Sequence, residues 1–568
     1  MFGPALTLVL ALISSAVIAV PMVDNAHRHA VASLNPSSTK FPFYFPNSVY
    51  ESILYSDLVS LSFSERDDVK IATDFICNKL NLDADDFKVF DFFTDAAGVT
   101  HVYGAHMINN VRIANHHAAA HAKNGQVTSF SSSFGTTQHF SKRDLIISAP
   151  EATVDFEQVS VTISAKLEIP VYSDFEYVLE YVEQPDGRIV PLISPTRLRT
   201  RPSPLSRRNA TPGFSMIVNP EFEGSSPNGW TDGKATKGNN VITSNPSGKT
   251  TPSTKDGVFD TKFNSKKEPD TDENIAAAAV NLFYVTNMVH DIAYQYGFTE
   301  KAGNFQTDNF GKGGKGGDAV TINVINTSDF DNADFLTPPD GQPGVMNMFL
   351  FNSTTPKRTP AFDNSVIIHE YAHGISNRLT GGPSTDSCLT KSQAAGMDEG
   401  WSDIIFMIIL AKSSDTATTK ITIGAYAENS AGGFRSVPYT TDMKVNSWTY
   451  GDLKSLDEVH DVGEVWASML WEVYWNLVAK HGFATNLYDA DQSAGNVIAM
   501  KIILGGMTIQ SCNPTFRAAR DAIVAADLSY YDGANKCEIL KGFAKRGLGS
   551  DATSGRKNDF SVPSECQE

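Results

Sequence analysis

An α+β fold in two unlike parts is what the sequence predicts, and three observations predict it. A stretch at residues 195–212 is rich in Pro, Ser and Arg and nearly free of large apolar residues, so it reads as an exposed linker. Before it lie one helical pattern and several short alternating runs; beyond residue 360 apolar residues recur mainly at helical spacing. Composition changes at the same break: 8 of the 13 His precede residue 209, whereas all 6 Trp follow it. The later part carries 29 basic and 42 acidic residues, so −13 of the net −18 falls there. A chain of that charge repels phosphate backbones, which excludes a general nucleic-acid partner.

In chain order, residues 4–19 form the longest apolar run, and Val17 and Ala19 suit the small-residue positions of a signal-peptidase site. Residues 1–19 therefore read as a secretion signal. No later stretch approaches the roughly 18 apolar residues that a membrane span requires, so no membrane partner is expected. Residues 67–80 have helical spacing of Val69, Ile71, Phe75 and Ile76. Runs starting at Lys88, His101 and Gln126 alternate as strands, and a second set at 159–169 and 175–182 ends at the turn Gln184-Pro-Asp-Gly. His116, His117 and His121 are expected on a polar strand or loop, because no Cys or acidic cluster nearby completes a metal shell.

After the break, residues 274–296 read as a long helix and 320–325 as a strand. The glycines of 311–317 form a flexible turn; they lack the Gly-Lys-Ser/Thr ending of a phosphate loop. Secretion gives the cysteines a role: Cys388, Cys512, Cys537 and Cys566 can form two disulfides, with three connectivities open. It also gives meaning to the glycosylation sequons at Asn209, Asn326 and Asn352. Arg207-Arg208 suits a dibasic processing protease.

The decisive feature is Val366-Ile-Ile-His-Glu-Tyr-Ala-His373. His369 and His373 are i and i+4, so on a helix both imidazoles leave one face and can reach one Zn²⁺. Glu370 then sits beside the open position of that metal, where it can take a proton from water and return it to a leaving amine. Chance would give this pattern in roughly one or two of a hundred such chains. Asp363 or Asn364 is a plausible N-cap, which adds the helical context. A third ligand is needed, and Glu399 in Met397-Asp-Glu-Gly-Trp-Ser-Asp403 is the candidate. Asp403, one turn on, and Asp398 can each accept the free N–H of a ligand His. His460 precedes an apolar helix and can either donate a hydrogen bond to an oxyanion or cap the helix. His290 reads as a structural His and His481 as a helix end.

Several motifs in the same order resemble the fungalysin family of secreted fungal zinc metalloproteases, relatives of thermolysin. They include Asn281-Leu-Phe-Tyr, Gly303-Asn-Phe-Gln, Asn332-Ala, Thr337-Pro-Pro-Asp-Gly-Gln, His369-Glu-Tyr-Ala-His-Gly-Ile-Ser-Asn-Arg, Glu399-Gly-Trp-Ser-Asp, Val459-His-Asp-Val-Gly-Glu and Lys541-Gly-Phe-Ala-Lys-Arg-Gly-Leu-Gly. The resemblance implies an α/β N-terminal lobe (209–375) and a mainly helical C-terminal lobe (376–568), with the active site between them. It implies one Zn²⁺ per chain on His369, His373 and Glu399, with Glu370 as base and His460 stabilising the oxyanion. It implies that Asn332 and Ala333 mark an edge strand that holds an extended peptide. It further implies that residues 20–208 are an inhibitory α+β propeptide, with units at about 45–95 and 100–190 and a linker at 195–208. The expectation is thus a monomeric, secreted endopeptidase made as an inactive precursor and acting on extracellular proteins or peptides. No motif supports Ca²⁺, which stays an open alternative. The rivals are a zinc exopeptidase and a non-enzymatic binding protein carrying a dead protease.

Overall fold

The computed structural model describes residues 48–53, 67–108, 111–134, 199–200, 216–255 and 257–567. The signal segment, the strand candidates at 159–169 and 175–182, the Gln184 turn, Arg207-Arg208 and Asn209 lie outside the described residues.

The first unit is one antiparallel sheet with a helix on it. Its elements are β1 (Val49–Ser52), α1 (Asp68–Leu80), β2 (Phe87–Thr94), β3 (Val99–Ile108), β4 (Val111–Lys123) and β5 (Gln126–Ser132), and the strand order is β1-β5-β4-β3-β2. Asp67 starts α1 by accepting from the amides of Val69 and Lys70, and Asn81 ends it in the left-handed region at φ 52. Ala72 and Ile76 of α1 pack on Val102, Ala118, Ala120 and Val127. Strand alternation sends Tyr103 and Ala119 to the other face, where they join the core of the following unit. There the Tyr103 hydroxyl donates to the Thr508 carbonyl at 2.9 Å and Lys123 Nζ to the Ser529 carbonyl at 2.7 Å.

Three expectations change here. The division between propeptide units at 95–100 falls at the β2–β3 turn, inside this single sheet. His116, His117 and His121 do lie on a strand, but they are buried, because β4 is covered on both faces. The linker is also partly paired: β6 (Arg199–Thr200) sits between β7 (Ile217–Val218) and β9 (Val258–Phe259).

The next lobe is built on a sheet of order β11-β12-β10-β8, from β8 (Val241–Ser244), β10 (Val320–Phe330), β11 (Ala333–Leu336) and β12 (Val345–Leu350). Strand β10 pairs in parallel with β8 and β12, and β11 runs antiparallel to β12 at the sheet edge. Helices α2 (Asp272–Gln295) and α3 (Asn364–Leu379) pack beneath it. Helix α2 is long and apolar enough to cross a membrane, yet 83% of its apolar window is buried inside the fold. Its Asp291 is fully buried and accepts from Trp230 Nε1 at 2.7 Å, Ser226 Oγ at 2.6 Å and the Phe222 amide at 3.0 Å, with His290 Nδ1 3.0 Å away. Asp291→Ala orphans two buried side-chain donors and one half-buried amide, so it should cost about 3–5 kcal/mol of unfolding free energy. Chemical denaturation measures this, and a loss below about 1 kcal/mol would refute the tethering role.

The last lobe is helical: α4 (Ser392–Leu410), α5 (Val459–His481), α6 (Gly495–Ile509), α7 (Phe516–Tyr531) and α8 (Lys536–Lys545). The lobe boundary expected at 375 falls in the last turn of α3, which continues to Leu379. Of the three open connectivities the structure contains Cys388–Cys512 and Cys537–Cys566, with Cys77 unpaired.

Candidate metal centre and active site

Helix α3 begins at the buried N-cap Asp363, which accepts from the Ser365 amide and also from the Tyr426 amide. One face of α3 buries Ile367, Ile368, Tyr371 and Ile375 in the core, and this fixes the helix rotation. His369, Glu370 and His373 therefore share the remaining face. Helix α4 packs against α3 and crosses α5 at glycines. A Cβ on Gly463 would meet Glu399 Cβ at 2.6 Å, and one on Gly400 would meet the Gly463 carbonyl oxygen at 2.7 Å. That close crossing sets Glu399 of α4 next to His460 at the start of α5.

The ligand atoms of His369, His373 and Glu399 all lie within 4.8 Å of one another. The two Nε2 atoms are 3.1 Å apart, His369 Nε2 is 3.2 Å from Glu399 Oε2, and His373 Nε2 is 3.7 Å from Glu399 Oε1. Donors held roughly 2.0–2.1 Å from one tetrahedral ion sit about 3.3 Å apart, so the set suits a four-coordinate metal. Both Nδ1 atoms are taken: His369 Nδ1 is 2.8 Å from Asp403 Oδ1, and His373 Nδ1 is 3.0 Å from Asp398 Oδ2. Each carboxylate selects the tautomer that leaves the Nε2 lone pair facing the shared point. Asp403 is itself anchored by Tyr439 and by Arg435 Nε at 2.8 Å, and Asp398 by Ser376 and by Asn377 Nδ2 at 2.9 Å.

The electrostatics favour a cation. Burial alone would lower the His373 pKa, but Asp398, Glu399 and Glu370 push it up to about 10. Burial would raise the Glu399 carboxyl, yet His460, His373 and His369 hold it well below the usual range. Glu370 behaves differently. Burial raises its pKa to about 7 against the pull of His369 and His373, with Asp334 and Glu399 adding to the rise. Asp403→Asn or Asp398→Asn should weaken metal affinity about 10–100-fold, read by competition with a chelating indicator. Unchanged affinity in both variants would remove the tautomer argument.

His460 Nδ1 lies 2.6 Å from Oε1 of the N-cap Glu458, and His460 Nε2 lies 3.5 Å from Glu399 Oε2. Asn332 immediately precedes the edge strand, where its carbonyl accepts from the Phe349 amide at 3.2 Å, and Ala333 opens that strand. Strand β11 lies beside α3, since Thr337 Oγ1 donates to the His373 carbonyl at 3.3 Å. Sequence reasoning missed Arg435, whose Nη2 is 3.1 Å from Asp403 Oδ1 and 3.4 Å from Glu399 Oε2. It stands in a loop without periodicity; its only signal is being the sole Arg between Arg378 and Arg517.

Two lobes joined by a His-Glu-x-x-His helix, with a carboxylate brought in from the next helix, define the metallopeptidase class of fold. A family model described as fungalysin metallopeptidase (M36) matches residues 202–552, and the chain belongs to that family. A second model, the fungalysin/thermolysin propeptide motif, matches residues 85–134 and so covers β2 to β5. Extracellular metalloproteinase 2 of Arthroderma otae is 45% identical over 351 residues, 60% of this chain and 55% of that protein. Extracellular metalloproteinase 1 of Trichophyton tonsurans is 44% identical over 371 residues, 62% of this chain and 58% of that protein. The chain spans little more than half the length of these curated relatives.

Proposed function

We propose that the chain is the precursor of a secreted zinc endopeptidase that works as a monomer on extracellular proteins or peptides. The observation that carries this reading is the convergence of His369, His373 and Glu399 within 4.8 Å, with Glu370 on the same helix face. Two imidazoles and one carboxylate are the donor set of catalytic zinc sites, and the bound ion supplies Lewis-acid polarisation of the peptide carbonyl.

The protein groups divide the remaining work. Glu370, 5% exposed, takes the proton of the attacking water and delivers it to the departing amine. His460 Nε2 faces the same space and donates to the oxyanion as it develops. Arg435 holds Asp403 and Glu399 in place, and through Asp403 it orients His369. The edge of β11 offers unpaired backbone groups to an extended substrate, with Asn332 and Ala333 at its start. The sheet β1–β5 belongs to a propeptide that holds the enzyme inactive until it is cut near Arg207-Arg208. Export to the extracellular space accords with the names of the relatives and with the two disulfides.

N-terminal sequencing of the secreted product, paired with a casein assay, tests the precursor reading. A mature chain starting after residue 195 with activity is the expected result; intact, inactive protein starting near residue 20 favours a binding protein instead. Secretion also predicts where glycan appears. Asn352 is exposed in the loop after β12, whereas Asn326 is half-buried and its Nδ2 donates to Asn347 Oδ1 at 2.9 Å. Mass spectrometry before and after glycosidase treatment should find glycan on Asn352 and none on Asn326; the reverse would contradict the folded geometry.

A further inference from the structure

We infer that Asp334 is a specificity-determining residue that selects a Lys or Arg side chain on the substrate residue paired with it along β11. The inference rests on the reading of β11 as the strand that receives the peptide.

Strand alternation decides where Asp334 points. Ala333 and Phe335 pack inward, with the Phe335 ring 5.7 Å from Phe305 and 6.2 Å from Tyr371 of α3. Asp334 therefore projects from the opposite face, where the register sets it across from Asn347 of β12. Asn347 Nδ2 donates to Asp334 Oδ1 at 2.6 Å. The Asn347 amide is itself held, because its Oδ1 accepts from Asn323 at 2.7 Å and from Asn326 at 2.9 Å. The carboxylate is thus fixed by a row of three amides, and none of them brings a charge.

Its electrostatic surroundings are mostly of its own sign. Burial raises its pKa and Asp329 adds to the rise; against these stand the Asn347 hydrogen bond and the charge of His373. Among the described residues no Lys or Arg bears on it, and His373 is committed to the metal cluster. Its own charge reaches Glu370. A half-buried carboxylate held beside other carboxylates is costly to maintain without a counter-ion, and a cationic substrate side chain would supply one.

The sheet geometry delivers that side chain. An extended peptide added to the free edge of β11 places the residue opposite Asp334 on the same face, with Cβ atoms about 4.5–5.5 Å apart. Lys and Arg reach the carboxylate from there, and Arg can engage both oxygens. A Glu at that position meets a like charge in the same place.

The test scans Arg, Gln and Glu through successive positions on both sides of the scissile bond in fluorogenic peptides, using the processed enzyme. Wild type should cleave the Arg peptide with a kcat/KM about tenfold above the Glu peptide at one position, since attraction and like-charge repulsion both contribute. Asp334→Asn, which keeps shape and the Asn347 contact, should bring the Arg-to-Glu ratio close to one at that position, and Asp334→Lys should invert it. The ratio within each variant is independent of overall activity, and the isosteric Asn variant decides alone if the Lys variant does not fold. An unchanged ratio in Asp334→Asn, or no Arg preference in wild type, overturns the inference alone. Wild-type enzyme that cleaves none of the peptides overturns the peptidase reading and this inference with it.

Discussion

Glu370→Gln should reduce kcat/KM for peptide hydrolysis by about 10²–10⁴-fold while the protein keeps its metal, because the substitution removes a proton acceptor and no ligand. The proposed ligands are His369, His373 and Glu399, and their partners Asp403, Asp398 and Arg435 do not involve Glu370. Gln also has the volume of Glu, so the packing of α3 against its neighbours is preserved. Elemental analysis of the purified variant should give the same zinc content as wild type, and peptide kinetics should give the loss. A variant that retains zinc and hydrolyses peptide at the wild-type rate would mean that the base is another group. A variant that loses zinc would mean that Glu370 supports the ligands.

Acid should loosen the sheet β1–β5 from the rest of the protein. His101 and His121 are directly opposite each other on β3 and β4, buried at 1% and 0% exposure, with their Nδ1 atoms 2.8 Å apart. Two imidazolium ions cannot occupy that arrangement. Asp95 Oδ2 lies 3.2 Å from His101 Nε2 and accepts from the Tyr530 hydroxyl of α7 at 2.8 Å, so the pair sits at the seam between the two units. Tyr103 faces His121 with its ring 5.8 Å away. Burial lowers the His121 pKa well below the usual value and the charge of His101 lowers it further, while the Ile509 backbone and Asp95 act against this. A second facing pair, His106 and His116, lies 3.2 Å apart, and burial with the charge of His106 lowers His116 to about 4.

The pKa of His121 is depressed in the docked state, so its contribution to docking is complete above the ordinary His value near 6.5. It is lost as pH falls from there toward the depressed value, at up to about tenfold in the docking equilibrium per pH unit. Hydrogen exchange of the Glu370→Gln precursor, verified by mass to be uncut, measures this. After correction for intrinsic exchange, amides of β3 and β4 should be less protected at pH 5 than at pH 7.5, and His121→Gln should flatten the difference. Equal protection at both pH values would refute the titration.

Much of the candidate site was legible because it is written in local spacing. His369, Glu370 and His373 follow from i, i+4 geometry on a helix, and Glu399 with Asp403 from the same rule on the next helix. What was not legible depends on long-range placement. Arg435 reaches Asp403 from a loop 32 residues later, and no periodicity marks it. The facing histidines exist only through the β3–β4 register, which pairs His101 with His121 and so puts residues that read as polar into a closed interface. The division expected near residue 95 falls inside one sheet for a similar reason: a turn between strands resembles a turn between units until the sheet order is known. The glycines that let α4 and α5 meet, Gly396, Gly400 and Gly463, were visible as residues but not as a contact.

The claim that His369, His373 and Glu399 hold a zinc ion on which peptide hydrolysis depends is tested most directly by reconstitution. Peptide hydrolysis by the processed enzyme is measured as isolated, after chelation to a zinc-free state verified by elemental analysis, and after one equivalent of zinc is restored. Activity, its loss and its recovery are expected in that order; hydrolysis that persists in the zinc-free protein would contradict a zinc-dependent reaction.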